Sequence, residues 1–380
     1  MKLAGDWLQG PGTQALCAVL EGAGYRVLFV GGCVRNALLG AAVTDLDLAT
    51  DALPETVADL ARKAGFKVVP TGLDHGTLTV VAQGAVHEVT TFRRDVQTDG
   101  RRAVVAFSTE IAEDAARRDF TMNALYADPR GQVIDPLGCG LADLQARKLR
   151  FVGDAEQRIR EDYLRILRFF RFHAWYGDPA EGLDADGLAA CAAHLDGLAG
   201  LSAERVGAEL RKLLSAPDPA PALATMARCG ALAAVLPGAD PRAIAPLVHL
   251  EQGRPALWLG RLAVLGGDDP TERLRLSRAE SRDLAALRAA LGGMDSPAVL
   301  GWRLGADLGR AALLARAAVL ESPLPDNWAA ELARGAAAVF PLRAADLPHL
   351  QGPALGAELK RLEQRWLAAD LHLSRGQLLG

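Results

Sequence analysis

Through the first 150 positions, short apolar runs alternate with turn residues, and the runs have the length and β-branched content of strands. Arg26–Val30, Leu46–Ala49, Lys67–Pro70, Thr77–Ala82, Ala85–Thr91, Ala103–Ser108 and Gln132–Ile134 read as strands, with helices at Val34–Leu39 and Pro54–Ala64. Beyond residue 150 the pattern changes. Ala/Leu/Arg-rich segments follow helical spacing and β-branched runs almost vanish. The chain therefore reads as α+β: a head with a mixed sheet and helices over 1–150, then an all-α remainder. The Pro/Asp-rich stretch Ala216–Pro221 and the segment Gly266–Pro270 predict breaks between helices. The Ala-rich stretches of the second half are helix formers, not low-complexity disorder.

Composition narrows the class. Half of the 380 residues are apolar and the net charge is only −4, which excludes disorder for most of the chain. No window approaches 18 uncharged apolar residues, so no membrane span or membrane partner is expected. The first residues lack the apolar core of a secretion signal. Cys17, Cys33, Cys139, Cys191 and Cys229 are scattered without a C-x-x-C pair, which argues against a zinc site and fits a reducing cytoplasm. Residues 1–200 carry 21 basic and 27 acidic side chains, and residues 201–380 carry 21 and 19. Neither half is a bulk-charge nucleic-acid binder, so any nucleic-acid contact must come from a local patch. Only six of the basic residues are lysines. Arginine suits phosphate forks, although a GC-rich genome produces the same bias.

Three constellations carry chemistry. In Leu28–Gly40 a strand runs into a Gly31-Gly32 turn and a short helix, a backbone that lets a ligand approach closely, with Arg35 in reach of a phosphate. Thr44-Asp-Leu-Asp-Leu follows. On a strand Asp45 and Asp47 share one face and sit roughly 6.6 Å apart. Two such carboxylates can converge on divalent metals about 3.5–4 Å apart that activate a hydroxyl and steady a leaving pyrophosphate. Magnesium is the natural ion for oxygen ligands and phosphates. Glu88, on a neighbouring apolar strand, is a candidate third ligand or a cross-strand partner of an arginine such as Arg93. The second constellation is Arg117-Arg-Asp-Phe. There Arg118 suits triphosphate oxygens, and Asp119 suits a ribose hydroxyl or a helix cap. The third is a helix over Ala155–Ala174. Ile159, Tyr163, Ile166, Leu167, Phe170 and Ala174 fall in one arc of about 100°, opposite Arg158, Glu161, Asp162, Arg165 and Arg168 in an arc of about 120°. Arg171 lies at the flank. Glu161 and Arg165 form a supporting i,i+4 pair, which a solvated face would also show. Phe169 and Phe172 nevertheless lie inside the charged arc, so that face is expected to meet either the head or a stacked base.

Taken together, these residues resemble the class II tRNA nucleotidyltransferase and bacterial poly(A) polymerase superfamily. The likeness runs from Val30 to about Leu214. It comprises, in order, Gly31-Gly-Cys-Val-Arg35, Asp45-Leu-Asp47, His75-Gly-Thr77, Arg117-Arg-Asp119, Asp135-Pro-Leu-Gly138 with Asp143-Leu144, Glu161-Asp-Tyr-Leu-Arg165 with Arg168 and Arg171, and Ser202–Leu214. The resemblance implies a polymerase-β-like nucleotidyltransferase head over 1–150, a helical neck that recognises the base over 151–215, and a tRNA-binding body and tail over 216–380. It implies that Asp45 and Asp47 hold Mg2+ and that Gly32 and Arg35 contact triphosphate. Arg118 and Asp119 would serve phosphate and ribose. Asp162 and Arg165 would read the incoming base, with Arg168 and Arg171 supporting the triphosphate. Cytosine and adenine both offer an exocyclic amine beside a ring nitrogen, which suits a carboxylate paired with a guanidinium. Asn36 stands where many members have Asp.

The segment Thr91–Phe107 resembles the loop that goes with adenosine addition in this family, and its residues Arg93–Arg102 suit a mobile element better than a core strand. Residues 351–380 lack the basic tail usual in poly(A) polymerases. The expectation is a cytoplasmic enzyme that adds C, C and A from CTP and ATP to tRNA 3′ ends. The alternatives are an A-adding or poly(A) member, or an inactive RNA-binding homologue.

Overall fold

The computed structural model describes residues 1–73, 76–99 and 102–380. His75 of the His75-Gly-Thr77 motif, and Gly100 and Arg101 of the loop-like segment, lie outside the described residues. Two compact units make up the chain, Met1–Leu201 and Ser202–Gly380.

In the first unit, helices α1 (Asp6–Gln9) and α2 (Pro11–Gly22) lead into strand β1 (Val27–Val30), helix α3 (Gly32–Leu38) and strand β2 (Asp47–Thr50). Helix α4 (Pro54–Lys63) begins at a proline, whose missing N–H costs nothing there. Strands β3 (Lys67–Gly72), β4 (Thr77–Ala82) and β5 (Ala85–Thr91) follow, then β6 (Arg93–Asp99) and β7 (Arg102–Phe107). Beyond them come α5 (Ile111–Ala116), β8 (Tyr126–Ala127), β9 (Val133–Ile134) and α6 (Gly140–Gln145). Seven strands form one sheet in the order β3-β4-β5-β2-β1-β8-β9, with β2 and β5 parallel and the other pairs antiparallel. The sheet is mixed, as the sequence pattern predicts. All four residues of β1 are buried, as a central strand covered on both faces should be.

Two expectations change. Arg93–Arg102 does contribute strand: β6 and β7 pair antiparallel as a separate two-stranded sheet. The single helix expected over Ala155–Ala174 is two, α7 (Ala155–Glu161) and α8 (Leu164–Tyr176). Asp154 caps α7 by accepting from the Gln157 amide. Asp162 ends it, because its backbone is extended and its side chain accepts from the Leu164 amide, a local bond that competes with the helix ladder. Helix α9 (Ala185–Ala193) completes the unit.

Phe169 and Phe172 are buried against the head. Phe120 lies 5.0 Å from Phe151 and 5.1 Å from Phe172 between ring centroids, and Phe151 stacks on Phe169 at 5.3 Å. Of the two partners expected for that face of the helix, the head is the one observed.

The second unit is helical apart from turns and one isolated bridge, Ala239 to Gly266. Both expected breaks occur: helix Ala203–Leu214 ends before a new helix starts at Ala220, and Trp258–Leu265 ends before Pro270. Arg261, 2% exposed, organises the first break. It pairs with Glu251 at 2.6 Å and donates to the carbonyls of Leu214 (2.7 Å), Ala216 and Pro217 (3.2 Å). Arg273, Arg275, Arg278 and Arg282 do not share one helix, because Arg275 takes a left-handed backbone between two helices.

The aromatic wedge generates a prediction. Phe120 is fully buried, and Phe120→Ala should destabilise the first unit by about 3–5 kcal/mol, read from its denaturant midpoint. A loss below about 1 kcal/mol would show that the wedge does not hold this unit together.

Candidate active site

Gly31 opens the site. Its φ of 71° favours glycine, and an added Cβ there would lie 3.5 Å from Arg118 Nη1. A Cβ at Gly32 would lie 3.8 Å from Arg35 Nη2. The bare turn is thus flanked by two guanidiniums. Arg35 is the fourth residue of α3 and is buried. Its Nη1 donates to Asn123 Oδ1 (2.6 Å), its Nη2 to Asn36 Oδ1 and Tyr176 Oη (both 2.8 Å), and its Nε to Asn36 Oδ1 (3.2 Å). Asn36 in turn donates to the Ala42 carbonyl and ties down the segment that leads to Asp45.

The D-x-D pair sits at the start of β2. The strand begins at Asp47, so Asp45 lies just before it in an exposed segment where Thr44 donates to its Oδ2. Residue pairing continues outward only as far as a bond from the Glu88 amide to the Leu46 carbonyl. Asp47 is in register with Glu88 on β5, so the two side chains stand on adjacent strands. Burial raises the Asp47 carboxyl above its ordinary value, and the neighbouring charges of Glu88 and Asp45 add to this against the pull of Arg118. Such a carboxylate cluster is relieved by a divalent cation. Among the described residues, no three His, Cys, Asp or Glu side chains close into a cage. A pair of hard oxygen ligands suits magnesium, which keeps water and takes substrate phosphates as its remaining ligands.

The Arg117-Arg-Asp segment is not a helix start. Residues 119–121 pair with 150–152, through Val152 N to Asp119 O and Thr121 N to Arg150 O (both 3.0 Å). Beneath this ladder, buried Asp143 accepts from Thr121 Oγ1 at 2.7 Å and pairs with Arg150 at 2.6 Å. Arg118 is pinned by Asp114 (2.9 Å) and by Tyr126 Oη (3.0 Å). Burial works against the Arg118 charge, but Tyr126 and Asp114 hold its pKa well above the usual value. Asp119 Oδ1 accepts from the Phe120 amide (2.8 Å) and Asn123 Nδ2 (3.0 Å), and Oδ2 accepts from Arg168 Nε (2.8 Å). Burial pushes the Asp119 carboxyl up, yet Arg168 and these donors hold it far below the carboxylate range.

On the neck side, Arg165 donates to Glu161 Oε2 (2.6 Å) and to the carbonyls of Arg158 (2.8 Å) and Arg117 (3.3 Å). The Glu161–Arg165 pair therefore survives the helix break. Asp162 sits at the break itself. Arg168 and Arg171 both lie over the Phe172 ring, 5.2 and 4.2 Å from its centroid. The structure links Arg35 through Asn123 to Asp119 and Arg168, holds Arg118 in a second group with Asp114 and Tyr126, and sets both groups against the Gly31-Gly32 turn. Asp45, Asp47 and Glu88 stand as a separate acidic group. Asp114, Asn123, Tyr126 and Tyr176 join the two arginine groups without having been singled out in the sequence. The one visible signal among them is the i,i+4 spacing of Asp114 and Arg118.

Asp114 makes the electrostatics testable. Burial raises its carboxyl, but Arg118, Arg117 and the Tyr126 hydroxyl outweigh this and hold it at about 2. A depressed carboxyl contributes stability that is present above the unfolded value and lost as pH falls through the folded value. The contribution, of order 2 kcal/mol, should disappear between about pH 4 and about pH 2. In urea titrations across that window Asp114→Asn should show a flatter acid limb than wild type. Parallel limbs would contradict the assignment.

Residues 27–150 match the family described as Poly A polymerase head domain, and residues 183–242 the one described as Probable RNA and SrmB- binding site of polymerase A. CCA tRNA nucleotidyltransferase 1, mitochondrial, of Mus musculus is 42% identical over 219 residues, 57% of this chain and 50% of that protein. The CCA-adding enzyme of Geobacillus kaustophilus (strain HTA426) is 42% identical over 235 residues, 61% of this chain and 56% of that one. The chain spans about half the length of the curated relatives it matches. Among solved structures, the Bacillus stearothermophilus CCA-adding enzyme in complex with CTP superposes with a TM-score of 0.74 at 31% identity, covering 95% of this chain and 94% of that one. With that coverage, and with the head's motifs set around the glycine turn, the chain belongs to the tRNA nucleotidyltransferase and poly(A) polymerase family.

Proposed function

We propose that this protein adds C, C and A to the 3′ ends of tRNA, using CTP and ATP and no nucleic-acid template. The observation that carries the reading is the placement of Asp47 beside Glu88, with Asp45 two residues away, next to a bare glycine turn reached by Arg35 and Arg118. The likeness to a CCA-adding enzyme solved with CTP supports it.

Asp45 and Asp47 would hold Mg2+, with Glu88 as the neighbouring third carboxylate. Bound there, magnesium lowers the pKa of an attacking hydroxyl and neutralises charge on a leaving pyrophosphate. In the reaction the terminal 3′ oxygen of tRNA bonds to the α-phosphorus of the nucleotide. The α–β bridging P–O bond breaks, pyrophosphate departs, and the hydroxyl proton passes to solvent. Gly32 leaves room for the triphosphate backbone. Arg35, Arg118, Arg168 and Arg171 supply charge along it, and Asp119 orders Arg168 and faces the ribose side. Asp162 would accept from the exocyclic amine of cytosine or adenine while Arg165 donates to the ring nitrogen. Uracil and guanine present a carbonyl to Asp162, and a buried acceptor facing an acceptor discriminates strongly.

In this reading residues 1–150 carry the chemistry, 151–215 read the base, and 216–380 grip the tRNA by shape and phosphates. The β6–β7 hairpin occupies the segment that resembles the family's element for adenosine addition. Five cysteines, none of them in a disulfide among the described residues, fit a reducing cytoplasm. No helix among the described residues is long and apolar enough to cross a membrane.

The test is single-turnover extension of a tRNA lacking its last three nucleotides, with each of CTP, ATP, UTP and GTP. Wild type should add two cytidines and then one adenosine. Asp162→Ala should accept UTP and GTP to an extent wild type does not. Asp47→Asn should slow the chemical step at least about a hundredfold. Long adenosine tails would move the protein to the poly(A) branch, and no incorporation with magnesium present would end the transferase reading.

A further inference from the structure

Arg35 is a buried cation with an unusual set of neighbours. Its hydrogen-bond partners are the side-chain oxygens of Asn36, Asn123 and Tyr176, all neutral. Among the described residues no carboxylate lies within ion-pair distance of it. Two aromatic faces complete its surroundings: its guanidinium carbon sits 3.9 Å from the Tyr176 ring centroid and 5.2 Å from that of Phe172. Burial lowers the pKa of the group, and the positive charges of Arg171 and Arg168 push the same way, against Tyr176 and Asp119. A charge taken out of water without a partner of opposite sign is expensive to maintain, and such arrangements cluster where a charged ligand completes them. Its place against the Gly31-Gly32 turn, opposite Arg118, says where the missing anion goes.

What holds Arg35 there comes from elsewhere in the unit. Tyr176 is the last residue of α8, one turn beyond Phe172, and so 141 positions from Arg35 in the chain. It supplies two constraints at once, a ring whose centroid lies 3.9 Å from the guanidinium carbon and a hydroxyl that accepts from Nη2. Arginine carries several rotatable bonds, and fixing its planar head is what makes it a directional phosphate ligand. Phe172 orders the other side, and its ring also lies beneath Arg168 and Arg171.

We propose that Tyr176 is a positioning residue for the nucleotide's phosphates: its ring and hydroxyl fix Arg35 against the glycine turn, with Phe172 as the second face of the clamp. The inference rests on the reading of Arg35 as a triphosphate ligand. The clamp acts on phosphate and is indifferent to the base, so CTP and ATP depend on it alike.

The experiment is calorimetric titration of the full chain with magnesium tripolyphosphate and, separately, with cytidine, for wild type, Tyr176→Leu and Tyr176→Phe. Steady-state KM values for CTP, ATP and tRNA are measured beside them. Tyr176→Leu should weaken tripolyphosphate about tenfold, the equivalent of about 1.4 kcal/mol, and raise KM for CTP and ATP by the same factor. Cytidine affinity and KM for tRNA should not move. Tyr176→Phe keeps the stacked ring and loses the hydroxyl, so it should recover most of the loss. Unchanged tripolyphosphate affinity in a folded Tyr176→Leu protein would overturn the inference. So would an equal loss for cytidine and tripolyphosphate, which is the signature of general distortion. If wild type transfers no nucleotide, the enzyme reading fails on its own, and the tripolyphosphate titration still decides for or against the clamp.

Discussion

A carboxylate that is almost wholly removed from water must find donors, and Asp119 finds them on both the head and α8. Its pairing with Arg168 fixes where the neck helix lies along the head. Its bond to Asn123 orients the amide that accepts from Arg35. The Phe120 ring, one residue on, fills the gap between Phe151 and Phe172. Polar and apolar constraints thus converge on two consecutive residues, Asp119 and Phe120, and Arg168 and Arg35 take their positions from that convergence.

The site divides by charge. Asp45, Asp47 and Glu88 lie where β2 begins to pair with β5, and their mutual repulsion raises the Asp47 carboxyl further once burial has done so. The arginines gather on the turn and on α8, held mostly by neutral oxygens, aromatic faces, the buried Asp114 and the largely covered Asp119. A nucleoside triphosphate with a divalent cation carries the complement of both halves. Under the proposed function, such a ligand would supply the charge that each half lacks internally, and a turn without side chains would leave it room.

Much of this was legible in the sequence, for identifiable reasons. Period-two alternation marks β4 and β5 within their observed bounds, whereas the strand expected to carry both Asp45 and Asp47 begins only at Asp47. The glycine pair announces the turn because few other residues take its backbone. Other features were hidden because they are tertiary or strictly local. A helical wheel drawn over Ala155–Ala174 cannot register that the Asp162 side chain competes for the Leu164 amide, so the break went unseen. Tyr126 falls in none of the expected strands, and only the fold brings its hydroxyl to Asp114 and Arg118. Tyr176 reads as the end of a helix, and only the packing of α8 brings it to Arg35. The two phenylalanines misplaced on a charged face were the exception, since an aromatic in that position signals a partner even when the partner is unknown.

The central claim is that Asp119 acts through Arg168, so that the two count as one element in nucleotide binding. A double-mutant cycle of Asp119→Asn and Arg168→Gln, read as CTP dissociation constants in magnesium, tests it most directly. The account predicts that each single variant weakens CTP and that the double variant is no weaker than the worse single, leaving a coupling of at least about 1 kcal/mol. Losses that multiply in the double variant would contradict it, because the two residues would then meet the nucleotide independently.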